Sequence, residues 1–168
     1  MSKTSRVVAL AMALGAAGTW MVAASAQEPA PRTIPGITAE DAFPNGCVDC
    51  HVARPDADHR LSVQLATWTS AVPAAVVEKA RAASADPSRI RGRHPAVPNP
   101  TRNIPGSCLA ACHKPGSTIA PPFARLMHLM HFTGSGNRYL AVGQGECTHC
   151  HKLDATSGQW RVPSGDEK

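Results

Sequence analysis

The stretch C-L-A-A-C-H, residues 108–113, decides how this chain is read. Two others, C-V-D-C-H at 47–51 and C-T-H-C-H at 147–151, end the same way but hold only two residues between their cysteines. All six cysteines fall in these three pairs, and Cys50, Cys112 and Cys150 are each followed at once by a histidine. Histidine supplies 8 of 168 residues, so three such adjacencies arise by chance with odds on the order of 10⁻⁴.

The chain opens like an exported protein. Lys3 and Arg6 form a basic start, Val7 to Ala23 an apolar run, and Ala24-Ser25-Ala26 a small-residue cleavage signal. This predicts a secretory signal peptide over 1–26, cut before Gln27. An uncleaved anchor is the alternative, but the run of about 17 residues sits at the short limit for a membrane span. No later stretch is long and apolar enough to be one, so the expectation is a periplasmic or other extracytoplasmic location with no span after cleavage.

Six cysteines in an exported chain would ordinarily be a disulfide framework. Cys47, Cys50, Cys147 and Cys150 could also make a Cys₄ zinc centre. Neither has a use for the trailing histidines, and zinc strands Cys108 and Cys112. C-x-x-C-H does: it is the attachment signature of c-type haem. The two thiols add to the two vinyl groups as thioethers, and the adjacent imidazole ligates the iron. The thioether residues are then Cys47, Cys50, Cys108, Cys112, Cys147 and Cys150, and the proximal ligands His51, His113 and His151.

The middle motif carries one extra residue. On a helix Cys108 and Cys112 would stand at i and i+4, with Cβ atoms about 5–6 Å apart. A disulfide wants about 3.8 Å, so a local bridge would be strained. A backbone bulge among the compact residues Leu109, Ala110 and Ala111 can absorb the addition. The prediction is three haem c groups, not two.

With three motifs and the pair His128/His131, residues 45 to 152 resemble a class III, cytochrome c7-like multihaem cytochrome c. The lengthened middle motif and the long insert between the first two sites depart from that pattern. The resemblance implies a small, loop-rich fold packed around its haems, and an H-x-x-H pair that serves two of them.

Five histidines remain for the distal positions. In P-P-F-A-R-L-M-H-L-M-H-F-T-G (121–134) the prolines suit a helix start and the glycine its end, and His128 and His131 at i and i+3 project from one side. They can therefore reach two haems lying side by side. His94, held extended by Pro95, and His59, in a charged loop, compete for the third iron. His149 lies inside its own motif and is expected to face solvent or a neighbouring propionate. Met127 and Met130 are read as packing residues rather than ligands.

The predicted fold is mostly irregular with a few α-helices, built around three covalently bound haems. A Pro-rich arm, extended and mobile, covers 27–45, and the trihaem domain 46–168. A Pro-rich connector at 95–106 would separate a one-haem lobe (46–94) from a two-haem lobe (107–168). Residues 72–86 have the composition of a helix, and 135–146 read as a loop. No strand ladder is evident, and after His151 only Trp160 is expected to pack. The chain is 4% aromatic, too few for a conventional core; three apolar macrocycles would fill the middle instead.

The net charge of +5 loses two positive charges with the signal. Ionised propionates, about −2 per haem, against about +1 for each ferric centre bring the whole close to zero. With no Lys/Arg run either, nothing points to nucleic acid. The leading expectation is an electron carrier with bis-His, low-spin haems that exchanges electrons with redox partner proteins. An enzyme or enzyme subunit with one open haem, working on nitrite, hydroxylamine or peroxide, is the alternative. Docking to a membrane quinol-oxidising complex is a third reading.

Overall fold

Fifteen prolines and thirteen glycines cut the chain into short pieces. In the computed structural model, which describes residues 30–168, no helix exceeds ten residues. The expected signal peptide and the first three residues of the Pro-rich arm lie outside the described residues. The helices are α1 (Cys47–Cys50), α2 (Leu61–Trp68), α3 (Ala74–Ala83), α4 (Gly106–Ala110), α5 (Phe123–Phe132) and α6 (Arg138–Val142). Single 3₁₀ turns cover Pro87–Arg89 and Cys147–His149, and a hairpin of β1 (Lys152–Asp154) and β2 (Gln159–Arg161) follows the last motif. Arg32–Lys168 cluster as one compact unit. The molecule is thus mostly irregular with a few helices.

Proline sets the helix starts. Pro73 and Pro122 stand immediately before α3 and α5 with extended ψ, where a missing N–H costs nothing. α5 stops at Thr133, and Gly134 follows at φ +95°. Lys79 on α3 donates from Nζ to the carbonyls of Met130 (3.3 Å) and Thr133 (3.0 Å). This satisfies the end of α5 with a cation, as its dipole favours, and joins the two helices.

The apolar interior is very small. Among the described residues the buried hydrophobic side chains are Val48, Val77, Ala83 and Ile104, with Pro105 beside them. Val48 belongs to the first motif, and Ile104 lies just ahead of the second. The C-terminal tail closes over both. Gly165 and Ile104 exchange two backbone hydrogen bonds (2.7 and 2.9 Å). Glu167 N–H donates to the Thr101 carbonyl at 2.7 Å, while its carboxylate accepts from the backbone and hydroxyl of Ser62. Lys168 pairs with Asp49. Gly165 has to be small: a Cβ there would stand 3.2 Å from Val48 Cγ2.

Four local expectations are corrected. The tail packs through its last six residues, whereas Trp160 is 53% exposed on β2. A hairpin exists where no strands were expected. Its three-residue strands are too short to show alternation, and Asp154 makes the turn by accepting from Thr156 and Ser157 N–H (3.0 Å each). The supposed loop 135–146 holds α6, capped by Asn137 Oδ1. From Arg32 onward the arm is folded: the Ile34 carbonyl accepts from the N–H groups of Ile37, Thr38 and Ala39, and Arg32 pairs with Glu146.

Candidate haem sites

All three motifs close on themselves in the same way. His51 N–H donates to the Cys47 carbonyl at 2.8 Å, and His151 N–H to the Cys147 carbonyl at 2.8 Å. In the middle motif His113 N–H donates to the Cys108 carbonyl at 3.0 Å, so the same contact is made across one more residue. α4 ends before Cys112, and Ala111 takes up the addition with φ −92°, ψ −98°, outside the helical range. Cys108 and Cys112 therefore do not share a regular helix. The six cysteines are free thiols. Among the described residues, no cluster of three or more His, Cys, Asp or Glu side chains is placed to hold one metal ion.

Each motif histidine faces a second histidine. His51 lies 6.2 Å from His131 between ring centres, His113 6.0 Å from His94, and His151 6.1 Å from His128. These separations lie within the ordinary range for packed rings, and His113–Phe123 and His128–Phe132 share them; what sets the three pairs apart is that each joins a motif histidine to a histidine from outside the motifs. Two metal–nitrogen bonds of about 2.0 Å, with about 1.1 Å from each ligating nitrogen to its ring centre, span about 6.2 Å. The pairs have the spacing of two imidazoles on opposite sides of one iron. The angle between ring planes is unconstrained in that arrangement; here it is 89°, 11° and 43° for the first, second and third pairs.

The tautomers follow from backbone carbonyls, which only accept. His51 Nδ1 lies 2.9 Å from the His59 carbonyl, His113 Nδ1 2.7 Å from that of Pro121, His131 Nδ1 2.9 Å from that of Met127, and His94 Nδ1 2.8 Å from that of Pro95. Each of these four nitrogens carries the hydrogen, which leaves Nε2 with its lone pair free. Burial lowers the pKa of His51 and of His113, and neither carbonyl bond reverses it. Both imidazoles are held neutral, the form that ligates a metal. Burial likewise pushes the Cys47 thiol up to about 12, with Cys150 adding to the rise, and raises Cys50 and Cys150.

α5 distributes its two histidines to two motifs. His131 turns toward the first and His128 toward the third, as the i, i+3 spacing allows. His94 reaches the second from an extended segment whose N–H bonds the Trp68 carbonyl at 2.9 Å. Its rival His59 faces no motif ring among the described pairs. It serves the first motif through its backbone carbonyl, while its Nε2 is buried without a partner. His149 does not turn to solvent: its ring meets Phe43 edge-on at 4.7 Å and its Nδ1 is buried and unpaired.

Sequence reasoning missed Tyr139, the only tyrosine in the chain. Its ring stands 5.2 Å from His131 and 5.4 Å from Phe132, and its hydroxyl donates to the Glu146 carbonyl. It thus packs a distal-ligand candidate of the first site against the entry to the third motif. Burial, with the thiols of Cys150 and Cys147 nearby, raises its pKa. The one available signal was the Asn137 cap that starts α6.

Two apolar side chains near Gly145 are partly open to solvent: Phe132 is 39% and Leu140 41% exposed. The spacing of the pairs and the free Nε2 of four of their rings are compatible with haem c. Comparison with family models, with curated proteins and with solved structures finds no match to this chain.

Proposed function

We propose that the chain is an exported trihaem c-type cytochrome that carries electrons between redox proteins in an extracytoplasmic space. The observation that carries this reading is the set of three facing imidazole pairs, each built from one motif histidine and one distal histidine at about 6 Å. Bound haem iron supplies one-electron exchange between ferric and ferrous states. The chain's own groups do the rest. Thiols of Cys47 and Cys50, Cys108 and Cys112, and Cys147 and Cys150 tether, and His51, His113 and His151 ligate one face. His131, His94 and His128 ligate the other.

Two imidazoles for each haem iron would leave no position on it for a substrate. The carbonyls of His59, Pro121, Met127 and Pro95 hold four of the six rings in orientation. A ligand shell so fixed changes little between oxidation states, which keeps the reorganisation accompanying electron exchange small.

The intact mass of the purified mature protein tests the proposal. The expected value is the chain from Gln27 with three haems added. Two haems would remove C-L-A-A-C-H from the set of sites; none would overturn the reading altogether. A high-spin ferric signal in the wild-type protein would turn the function toward small-molecule redox catalysis.

A further inference from the structure

Charge is divided unevenly over the molecule. Residues 74–125 hold eight Lys and Arg against two acids, Glu78 and Asp86, a net of +6. The remaining described residues hold seven cations against nine acids, a net of −2. In that acidic part five cations are ion-paired, among them Arg60 with Asp58 and Arg138 with Asp56. In the basic part only Arg102 is, with Asp166.

Four of that part's seven cations without an acid partner lie by one site. Arg93 adjoins His94 and Lys114 adjoins His113, the two members of the second pair. Arg91 stands two residues further, and Arg89 donates to the Thr118 carbonyl at 3.2 Å, which joins the loop before His94 to the loop after His113. All four are exposed, as are Cys112 and, at 60%, the apolar Ile119. Asp86 is the acid near Arg89 and Arg91. An exposed attachment edge with an apolar spot and a cationic rim has the anatomy of a protein docking site.

We infer that the face around the His94/His113 pair is the docking surface for an acidic redox partner protein, and that electrons enter or leave through the second haem. This rests on the proposed trihaem reading. Like-signed charges concentrated at one exposed site steer an oppositely charged partner and orient it on arrival. The other two sites are flanked mainly by ion pairs, whose fields largely cancel, with Arg54 the unpaired cation near the first.

The test uses holoprotein whose mass already shows three haems, so a negative result bears on the docking face and not on the haem count. Fully reduced protein is oxidised in stopped flow by anionic ferricyanide or by cationic hexaammineruthenium(III). Raising ionic strength about twenty-fold should slow ferricyanide about threefold or more and should not slow the cation. R91Q/R93Q should reproduce that loss at low salt, R91K/R93K should restore the rate, and R54Q/R161Q at the acidic end should leave it near wild type. Titration of ¹⁵N-labelled ferric protein with poly-L-glutamate should shift amides in 89–94 and 113–119. Equal slowing of both oxidants by R91Q/R93Q would assign the arginines to haem propionates and overturn the inference. So would polyglutamate shifts confined to other residues, or binding to phosphatidylglycerol vesicles with none to polyglutamate.

Discussion

The first and second pairs are made of the same parts and set in opposite surroundings. In both, each imidazole gives its Nδ1 hydrogen to a backbone carbonyl. The first lies among acids that have partners, beside the buried Val48 and under the C-terminal tail. The second lies among cations that have none, with Cys112 exposed. Identical ligand chemistry is thus given two electrostatic settings by loops alone. In the proposed trihaem reading, the local motif sets what is bound, and the segments between motifs set how readily it accepts an electron.

Removing a distal ligand has the largest expected effect. His131→Ala should convert the first site, and His94→Ala the second, from low-spin to high-spin ferric, seen as loss of about one third of the low-spin intensity with a new high-spin signal. His59→Ala is the sharpening control. Its side chain faces no motif ring and only its carbonyl bonds His51, so all three sites should stay low-spin. A high-spin signal in His59→Ala with none in His94→Ala would reverse the assignment.

The tail distinguishes the two ends mechanically. Deleting residues 163–168 uncovers Val48 and Ile104 and breaks the paired hydrogen bonds between Gly165 and Ile104. Re-exposing one buried Val or Ile costs roughly 1.5–3 kcal/mol, so the truncated holoprotein should lose at least about 2 kcal/mol in denaturant unfolding. Its first-site spectrum should be disturbed more than its second. An unchanged midpoint would show that the tail is not part of the core.

Redox and magnetic measurements probe the same contrast more finely. The first and second pairs share their carbonyl bonds, so the neighbouring charges decide between them. The ion pairs beside the first leave little net field, whereas the unpaired Arg91, Arg93 and Lys114 beside the second would favour ferrous iron. In spectroelectrochemistry the second site should be reduced before the first. The ring planes add an independent check. Planes 11° apart donate into the same iron orbital and split the pair of π-type d orbitals, whereas planes 89° apart load both equally. The second site should therefore give an ordinary rhombic ferric signal, and the first a strongly anisotropic one with its largest g value shifted to low field. Two signals of the same kind would contradict the ring geometry.

How much of this was legible beforehand depends on the distance over which each feature is specified. The closed turns of the motifs and the placement of the α5 pair are written within a few residues, where the spacing of Cys108, Cys112 and His113 or of His128 and His131 constrains geometry directly. Helix ends at Pro73, Pro122 and Gly134 were equally local. The placement of His94, rather than His59, beside His113 was not, because it depends on where the chain from Trp68 to Arg93 runs. The tail was misread because Gly165 and Glu167 look like solvent residues until the backbone of Ile104 and Thr101 is brought to them. The role of Tyr139 likewise exists only after α6 folds against α5.

The smallest effect expected is that of Asp58→Asn, and it isolates the acidic side of the comparison. Arg60 donates to the Asp58 carboxylate from Nε (3.0 Å) and Nη2 (2.6 Å) and from its backbone N–H (3.0 Å). These side-chain and then backbone bonds hold the carboxyl down to about 2, from an ordinary 3.8. The group binds protons less readily folded than unfolded, so its contribution is present above about pH 4 and is lost as pH falls from there to about 2. Asp58 is exposed, and the contribution is small. Its place gives it leverage, since the turn 58–60 carries the carbonyl that orients His51. Asp58→Asn should lower the melting temperature slightly at neutral pH and by clearly less at pH 2. A gap that persists undiminished at pH 2 would mean that the carboxylate's charge is not what holds the turn.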